Sequence, residues 1–382
     1  MHILLLVRHY PPEVSGGARR PYLLTKALRK RGVRVTVAAP FEQPDDEDHL
    51  CVPHPVYGTA PPDFEAQDEA RRRRKTPIRD FLRLWLLWPD PDIRWCRRAA
   101  EAILASGLRP DWLMTTSPPE SAHVVGAKIA RRLNIPWLAE FRDTWIENPH
   151  RKILETSPLR AAAERVIARR TLSRVTALTA ASTYMLDEVR RYAPADTPAL
   201  HLEHFSARPE RIRELPAADV NLVHTGGFTL SDRRRPIEPL LDIVGRSAKT
   251  RHNLHLHLAG RLSPREREAA AAASGFRVTL YGELPLEDSQ ALQAGSDALI
   301  LYTPPESPTL PGKYAEYRFA RRPILYMGGG EWLDLVDDRT ALAPLETALP
   351  TLQKGQSTGE GPPFSADDAA EKVVAFLSAQ QA

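Results

Sequence analysis

Four stretches of this 382-residue chain hold residue types able to handle phosphates, hydroxyls or protons. In the first, His9 to Arg20, Gly16 and Gly17 permit close backbone approach, and the helix N-terminus after them favours an anion. A plain strand-to-helix turn would also account for two glycines. The second is Arg142-Asp143, preceded by His123. A guanidinium and a carboxylate after a strand can hold a ligand or take its proton, or can brace the loop as a buried pair. His123 falls inside a predicted helix, where a lone histidine is more often structural. In the third, Thr225-Gly226-Gly227-Phe228 leads to Arg233-Arg234-Arg235-Pro236. An arginine fork grips phosphate with two parallel bonds, with Arg234 and Arg235 preferred; a solvated arginine face is the alternative. In the fourth, Leu310 to Tyr317, Lys313 lies near a helix N-terminus and could reach phosphate. Glu316 can accept both hydrogen bonds of a diol. Asp90-Pro91-Asp92 has the spacing of an acidic metal pair, but it lies between prolines. Helix capping explains it better, and no metal is expected.

The elements that must position these residues follow an alternating pattern. Strands are predicted at 3–7, 33–38, 112–116, 137–141 and 177–180, and helices at 19–31, 120–133, 161–172 and 184–192. After a proline-containing stretch at 209–216 the pattern restarts. Strands follow at 220–224, 254–259, 278–281, 298–302 and 323–327, with helices at 236–247, 264–273, 286–294 and 313–320. Such alternation means α/β structure with parallel sheets, here two Rossmann-like domains over 1–208 and 209–350. A Gly/Pro/Ser-rich linker (351–363) then precedes a final helix (364–382), capped by Ser365 with Asp367 and Asp368 in its first turn. Ligands on these sheets bind at the C-terminal strand ends, so two facing domains would share a cleft. Residues 42–76 read as an irregular surface loop, acidic and then basic, and 78–105 as helical with a break near Pro89 and Pro91.

Composition narrows the function classes. With 42% hydrophobic and 26% charged residues, this is an ordinary globular chain. A net charge of +4 suits anionic partners without pointing to nucleic acid. Two cysteines, Cys51 and Cys96, make no disulfide framework and suit a reducing, cytoplasmic setting. The N-terminal apolar run is too short for a signal peptide, and no segment reaches the ~20 apolar residues of a membrane span. Any membrane contact is therefore expected to be peripheral. Ile78 to Arg98, with Trp85, Trp88 and Trp95 among arginines, suits a helix lying on an anionic membrane or a core helix.

Tyr10-Pro11-Pro12, Gly16-Gly17 and Leu28 to Val37 resemble the start of GT4-type glycosyltransferases of GT-B fold. Pro136 to Trp145 is similar to a "PW…(D/E)-x-RD-x-W" stretch of a GT4 subgroup, and Leu310 to Leu325 to the family's donor-binding helix. The resemblance implies sugar transfer from a nucleoside diphosphate sugar to a glycan, lipid-linked or small-molecule acceptor, retaining and metal-independent, with no cofactor. It places Glu316 on the ribose and Gly226, Gly227, Arg234, Arg235, Lys313 and Tyr317 about the donor, with Gly16 and Gly17 near its phosphates. Asp143, with Arg142 and His123, would orient or deprotonate the acceptor. It also implies a final helix packed back on the N-terminal domain. The family's paired glutamates lie seven residues apart, which puts the first at Pro308 here; Glu306 is close by. Rival readings are an epimerase or hydrolase of nucleotide sugars, and a non-catalytic nucleotide-sugar-binding protein. A dehydrogenase is disfavoured because no G-x-G-x-x-G follows the first strand.

Overall fold

The computed structural model describes every residue except 62–86, 149–150, 251–252, 308–309, 337–338, 360–363 and 382. It divides into two units, Met1–His204 with Ala366–Ala382, and Phe205–Ser365.

The first unit is a seven-stranded, wholly parallel sheet. In chain order it comprises β1 (His2–Leu6), α1 (Gly16–Lys30), β2 (Arg34–Ala39), β3 (His49–Cys51), α2 (Ile93–Ala105), β4 (Trp112–Ser117), α3 (Ser121–Leu133), β5 (Trp137–Phe141), α4 (Lys152–Thr156), α5 (Pro158–Leu172), β6 (Ala177–Ala180), α6 (Thr183–Arg190) and β7 (Ala199–His201). Strand order is β3-β2-β1-β4-β5-β6-β7. The direction of winding reverses between β1 and β4, so a crevice forms beyond their C-terminal ends. Central strands read as continuous apolar runs because helices cover both faces, and Ile3, Leu4, Leu6, Leu113 and Leu138 are fully buried. Gly126 lets α3 lie close on β4, since a Cβ there would meet Thr115 Cγ2 at 2.6 Å.

The second unit is a six-stranded parallel sheet of order β10-β9-β8-β11-β12-β13. Its elements are β8 (Val220–Thr225), α7 (Glu238–Ala248), β9 (Leu254–Ala259), α8 (Pro264–Ala272), β10 (Arg277–Gly282), α9 (Leu286–Ala294), β11 (Ala298–Tyr302), α10 (Gly312–Ala320), β12 (Ile324–Met327), β13 (Leu342–Pro344) and α11 (Leu345–Ala348). Its switch point lies between β8 and β11. Ser263 and Glu266 form a reciprocal capping box at the start of α8.

The last helix, α12 (Ala366–Ala379), belongs to the first unit, as the family resemblance implied. Ala369, Val373 and Leu377 recur every four residues and are fully buried. Lys30 and Arg31, ending α1, pair with Asp367 (2.8 Å) and Glu371 (3.0 Å) of α12.

Differences from the expected elements have physical causes. β3, β7 and β13 are three-residue edge strands, too short for any period to show. β3 lies within the stretch read as irregular. Residues 352–359, read as linker, run along the second unit: Lys354 Nζ donates to the Ala218 carbonyl (2.7 Å) and the Thr358 amide to that of Arg321 (3.1 Å). Residues 87–92 are not helical, and α2 starts only beyond Pro91. The helix expected over 78–86 and the basic run Arg71–Lys75 lie outside the described residues.

Candidate functional site

In the second unit, the two predicted site stretches, 225–236 and 310–317, converge on the ends of β8 and β11. Gly226 (φ +145°) and Gly260 (φ +140°) follow β8 and β9, and a Cβ on Gly260 would collide with the Gly226 carbonyl oxygen. Only glycine allows these two loops to touch. Beneath them Tyr317 is fully buried: its hydroxyl accepts the Thr225 amide (3.0 Å) and donates to the Ile300 carbonyl (3.3 Å). Tyr317 thus underpins the glycine loop from below.

Gln293 Nε2 donates to Thr225 Oγ1 (2.9 Å) and Glu316 Oε2 (3.2 Å), and Lys313 Nζ donates to the same Glu316 oxygen (2.9 Å). One turn of α10 therefore sets Lys313 and Glu316 side by side at its N-terminal end. Of the arginine triplet, Arg234 is committed to Asp232 by bonds of 3.1 and 2.7 Å, while Arg233 is exposed. The hydrogen bond from Arg234 is the main reason the Asp232 carboxyl drops to about 2. Arg235 turns inward and donates from Nη1 to the Tyr302 carbonyl (3.1 Å). Its burial lowers its pKa.

His224 stacks on Phe228 (4.7 Å between centroids) and shares a 2.9 Å hydrogen bond with the Ile300 carbonyl through Nδ1. Burial, helped by the charges of Arg235 and Lys313, lowers its pKa to about 4, so it is neutral at pH 7. His224 Nε2, Arg235 Nε and Gln293 Oε1 are buried without a hydrogen-bond partner among the described residues. Each such atom costs about 1–3 kcal/mol. Three of them around one glycine loop and one helix N-terminus make a site able to take a polar, anionic group.

The depressed His224 pKa has a sign that can be tested. The unfolded chain takes up a proton near pH 6.5 and the folded one only near 4, so stability is intact above 6.5 and lost as pH falls through that window. The expected loss is about 1.4 kcal/mol per pH unit. Urea midpoints at pH 7 and 4.5 should shift less in His224→Gln than in the parent chain.

In the first unit the switch point gathers the loops after β1, β4 and β5. Arg142 is buried and donates to the carbonyls of Ser117 (3.0 Å), Pro118 (3.1 Å) and Gly17. It braces three loops against one another through backbone carbonyls, without the Arg142–Asp143 pair of the structural alternative. Gly16 has open space where a Cβ would stand, and Gly17 packs against His9. Asp143 is half-buried and has no hydrogen-bond or ion-pair partner among the described residues. Its loop is held from behind by the Glu188 carboxylate, which accepts the amides of Trp145 (2.8 Å), Ile146 (2.6 Å) and Glu147 (3.2 Å). His123 lies in the core instead of the crevice, fully buried against Phe141 and bonded through Nδ1 to Thr115 Oγ1 (2.7 Å). Burial lowers its pKa to about 3.

One arrangement here escaped the sequence reading. His9 Nδ1 lies 2.7 Å from Glu13 Oε1, and Arg8 Nη1 holds the other Glu13 oxygen at 3.0 Å. Burial opposes charge on Glu13, yet its bond to His9 and the charges of His9 and Arg8 outweigh it and keep the carboxyl below its usual value. The His9 side chain stays 29% exposed, a partly accessible imidazole steered by a buried carboxylate. The signal available was Arg8-His9 followed four residues after His9 by Glu13, in the loop after the first strand.

Asp90 and Asp92 take separate partners. Asp90 caps α3, accepting from the Ser121 amide (2.8 Å) and hydroxyl (2.7 Å), and burial raises it to about 6. Asp92, just before α2, makes no side-chain cap bond to that helix. It accepts from Arg8 (3.2 Å) and lies 3.2 Å from His54 Nε2, and these neighbours overcome burial to hold it near 2. Among the described residues no group of three His, Cys, Asp or Glu side chains could hold a metal ion. Position 308 lies outside the described residues, and Glu306 is exposed with φ +59°.

These two parallel sheets make two Rossmann-like domains, as in proteins of GT-B fold. Residues 15–203 match the glycosyl transferase 4-like domain family, so the first unit carries a glycosyltransferase-like domain related to GT4. No curated protein sequence matches the chain. Sucrose-phosphate synthase from Thermosynechococcus elongatus superposes with a TM-score of 0.60 at 15% identity, over 100% of this chain and 90% of that one. Anabaena Alr3699/HepE, in complex with UDP and glucose, gives 0.60 at 14% identity over 99% of this chain and 100% of its own. A protein assigned as UDP-N-acetylglucosamine 2-epimerase from Listeria monocytogenes gives 0.57 at 12% identity, over 100% and 96%. At these identities the likeness is one of fold. The domain match makes the first unit glycosyltransferase-like, and the solved structures add the fold.

Proposed function

We propose that this protein transfers a sugar from a nucleoside diphosphate sugar to a glycan, lipid-linked or small-molecule acceptor. The observation that carries the reading is the second-unit site: Lys313 and Glu316 at one helix N-terminus, Gln293 bonded to Glu316, and Arg235 held at the end of β11. Glu316 would accept the ribose hydroxyls. Arg235, Lys313 and the N-terminus of α10 would stabilise the charge that grows on the departing diphosphate, as preorganised donors do in a site shielded from water. That is the work a metal does in other transferases, so turnover is proposed to be metal-independent and, by the GT4 resemblance, retaining. On the first unit, Asp143 and the His9–Glu13 pair are the groups proposed to orient or deprotonate the acceptor hydroxyl. Two unpaired cysteines fit a reducing, cytoplasmic setting; among the described residues no helix is long and apolar enough to cross a membrane.

HepE was solved with UDP and glucose, so UDP is the first nucleotide to test. UDP at 100 times its Kd should stabilise the chain by about 2.7 kcal/mol, read as a rise in Tm. Glu316→Ala should abolish most of that rise. Failure of every nucleoside diphosphate to protect at millimolar concentration would overturn the donor site. The fold likeness to the 2-epimerase favours one alternative, turnover of the nucleotide sugar alone. Conversion of a donor to its epimer without an acceptor would select it.

A further inference from the structure

On the first unit, away from the strand ends, α3 and α5 enclose a groove of about 400 Å³. Val124, Ala127 and Ile167 give it an apolar floor, and Lys128, Arg131, Arg170 and Arg174 stand around it. All four cations are exposed, and none has a carboxylate partner among the described residues. Arg132 and Arg169, beside them, are also exposed and unpaired among the described residues. Several surface cations elsewhere are matched, Arg34 with Asp48, Arg191 with Glu147, Arg246 with Glu346 and Arg265 with Glu238. Six cations on two adjacent helices without a counter-charge form a standing positive patch.

The same ridge exposes hydrocarbon. Leu159 is 72% and Val166 46% exposed, two of the few large apolar side chains open to solvent. At 100° per residue, Leu159, Val166 and Arg170 fall within about 40° of one another on α5. A free phosphate or a polyanionic chain would use the cations and leave Leu159 and Val166 without a role. A membrane surface uses both, with lipid phosphates on the cations and the apolar tips in the headgroup boundary.

We propose that the α3–α5 ridge docks the first unit on an anionic phospholipid surface. This surface shares no residue with the segment 78–98 and does not depend on the donor-site reading. Co-sedimentation with vesicles of phosphatidylcholine containing 30% phosphatidylglycerol, against pure phosphatidylcholine, tests it at about 0.1 M salt, where the Debye length of about 10 Å leaves surface contacts in force. The protein should pellet with the anionic vesicles only. The variant Lys128→Gln/Arg131→Gln/Arg170→Gln/Arg174→Gln should bind about 10²–10³-fold more weakly, at about tenfold or less per cation. Leu159→Ser/Val166→Ser should weaken binding with every charge kept. All six positions are exposed, and far-ultraviolet circular dichroism verifies that the variants fold. Unchanged binding of the charge variant overturns the proposal. So does unchanged binding of the Leu159/Val166 variant, or full release by millimolar inorganic phosphate, either of which would make the patch a plain anion site.

Discussion

Arg235→Ala is expected to lower kcat/KM by about 10²–10³-fold, the loss seen when one preorganised donor to developing charge is removed. The side chain is held before any substrate arrives: Nη1 is fixed on the Tyr302 carbonyl, and Nε is buried without a partner among the described residues. An arginine so placed spends no reorganisation when negative charge appears beside it. The neighbouring Arg234 already serves Asp232, so it should not take over. Arg235→Lys keeps the charge but loses the fork, and should recover only part of the rate. Single-turnover kinetics with a saturating nucleotide sugar would show the loss in the chemical step. Unchanged kcat/KM in the alanine variant would remove Arg235 from the mechanism.

Glu164→Ala should destabilise the first unit by about 3–5 kcal/mol, the cost of breaking one partner out of a buried ionic cluster. Glu164 is fully buried. One carboxylate oxygen accepts from Arg151 (2.8 Å) and Arg160 (2.9 Å), the other from the Trp145 indole (3.1 Å). Arg160 also lies 3.7 Å over the Trp88 ring. Without Glu164, two guanidiniums and an indole would be left short of an acceptor in a dry site. Glu164→Gln keeps the volume and one acceptor, and should cost less. Denaturant midpoints for the three chains give the answer directly, and a shift below about 1 kcal/mol for alanine would mean that water reaches the cluster.

How much of this could be seen in the sequence depended on how local the cause was. Leu254–Ala259, Leu286–Ala294 and Ala298–Tyr302 were legible to the residue, because buried strands and their covering helices write a strong period. The three-residue edge strands were not, since their pairing is set by the neighbour strand. The Lys313/Glu316 pair was legible because one helical turn joins them. The role of Tyr317 was not: nothing local says that a tyrosine on α10 will hold up a loop ninety-two positions earlier. Arg142 shows the same limit, since its three carbonyl partners come from two other loops. The His9–Glu13 pair was local and could have been found, but the glycines beside it drew the attention to phosphate.

The placement of α12 has a consequence for how the molecule is made. All of Phe205–Ser365 intervenes between the body of the first unit and the helix that covers α1. On the ribosome, α1 waits without this covering helix while an entire second sheet is synthesised. The first unit is thus completed only after the whole of the second has been made.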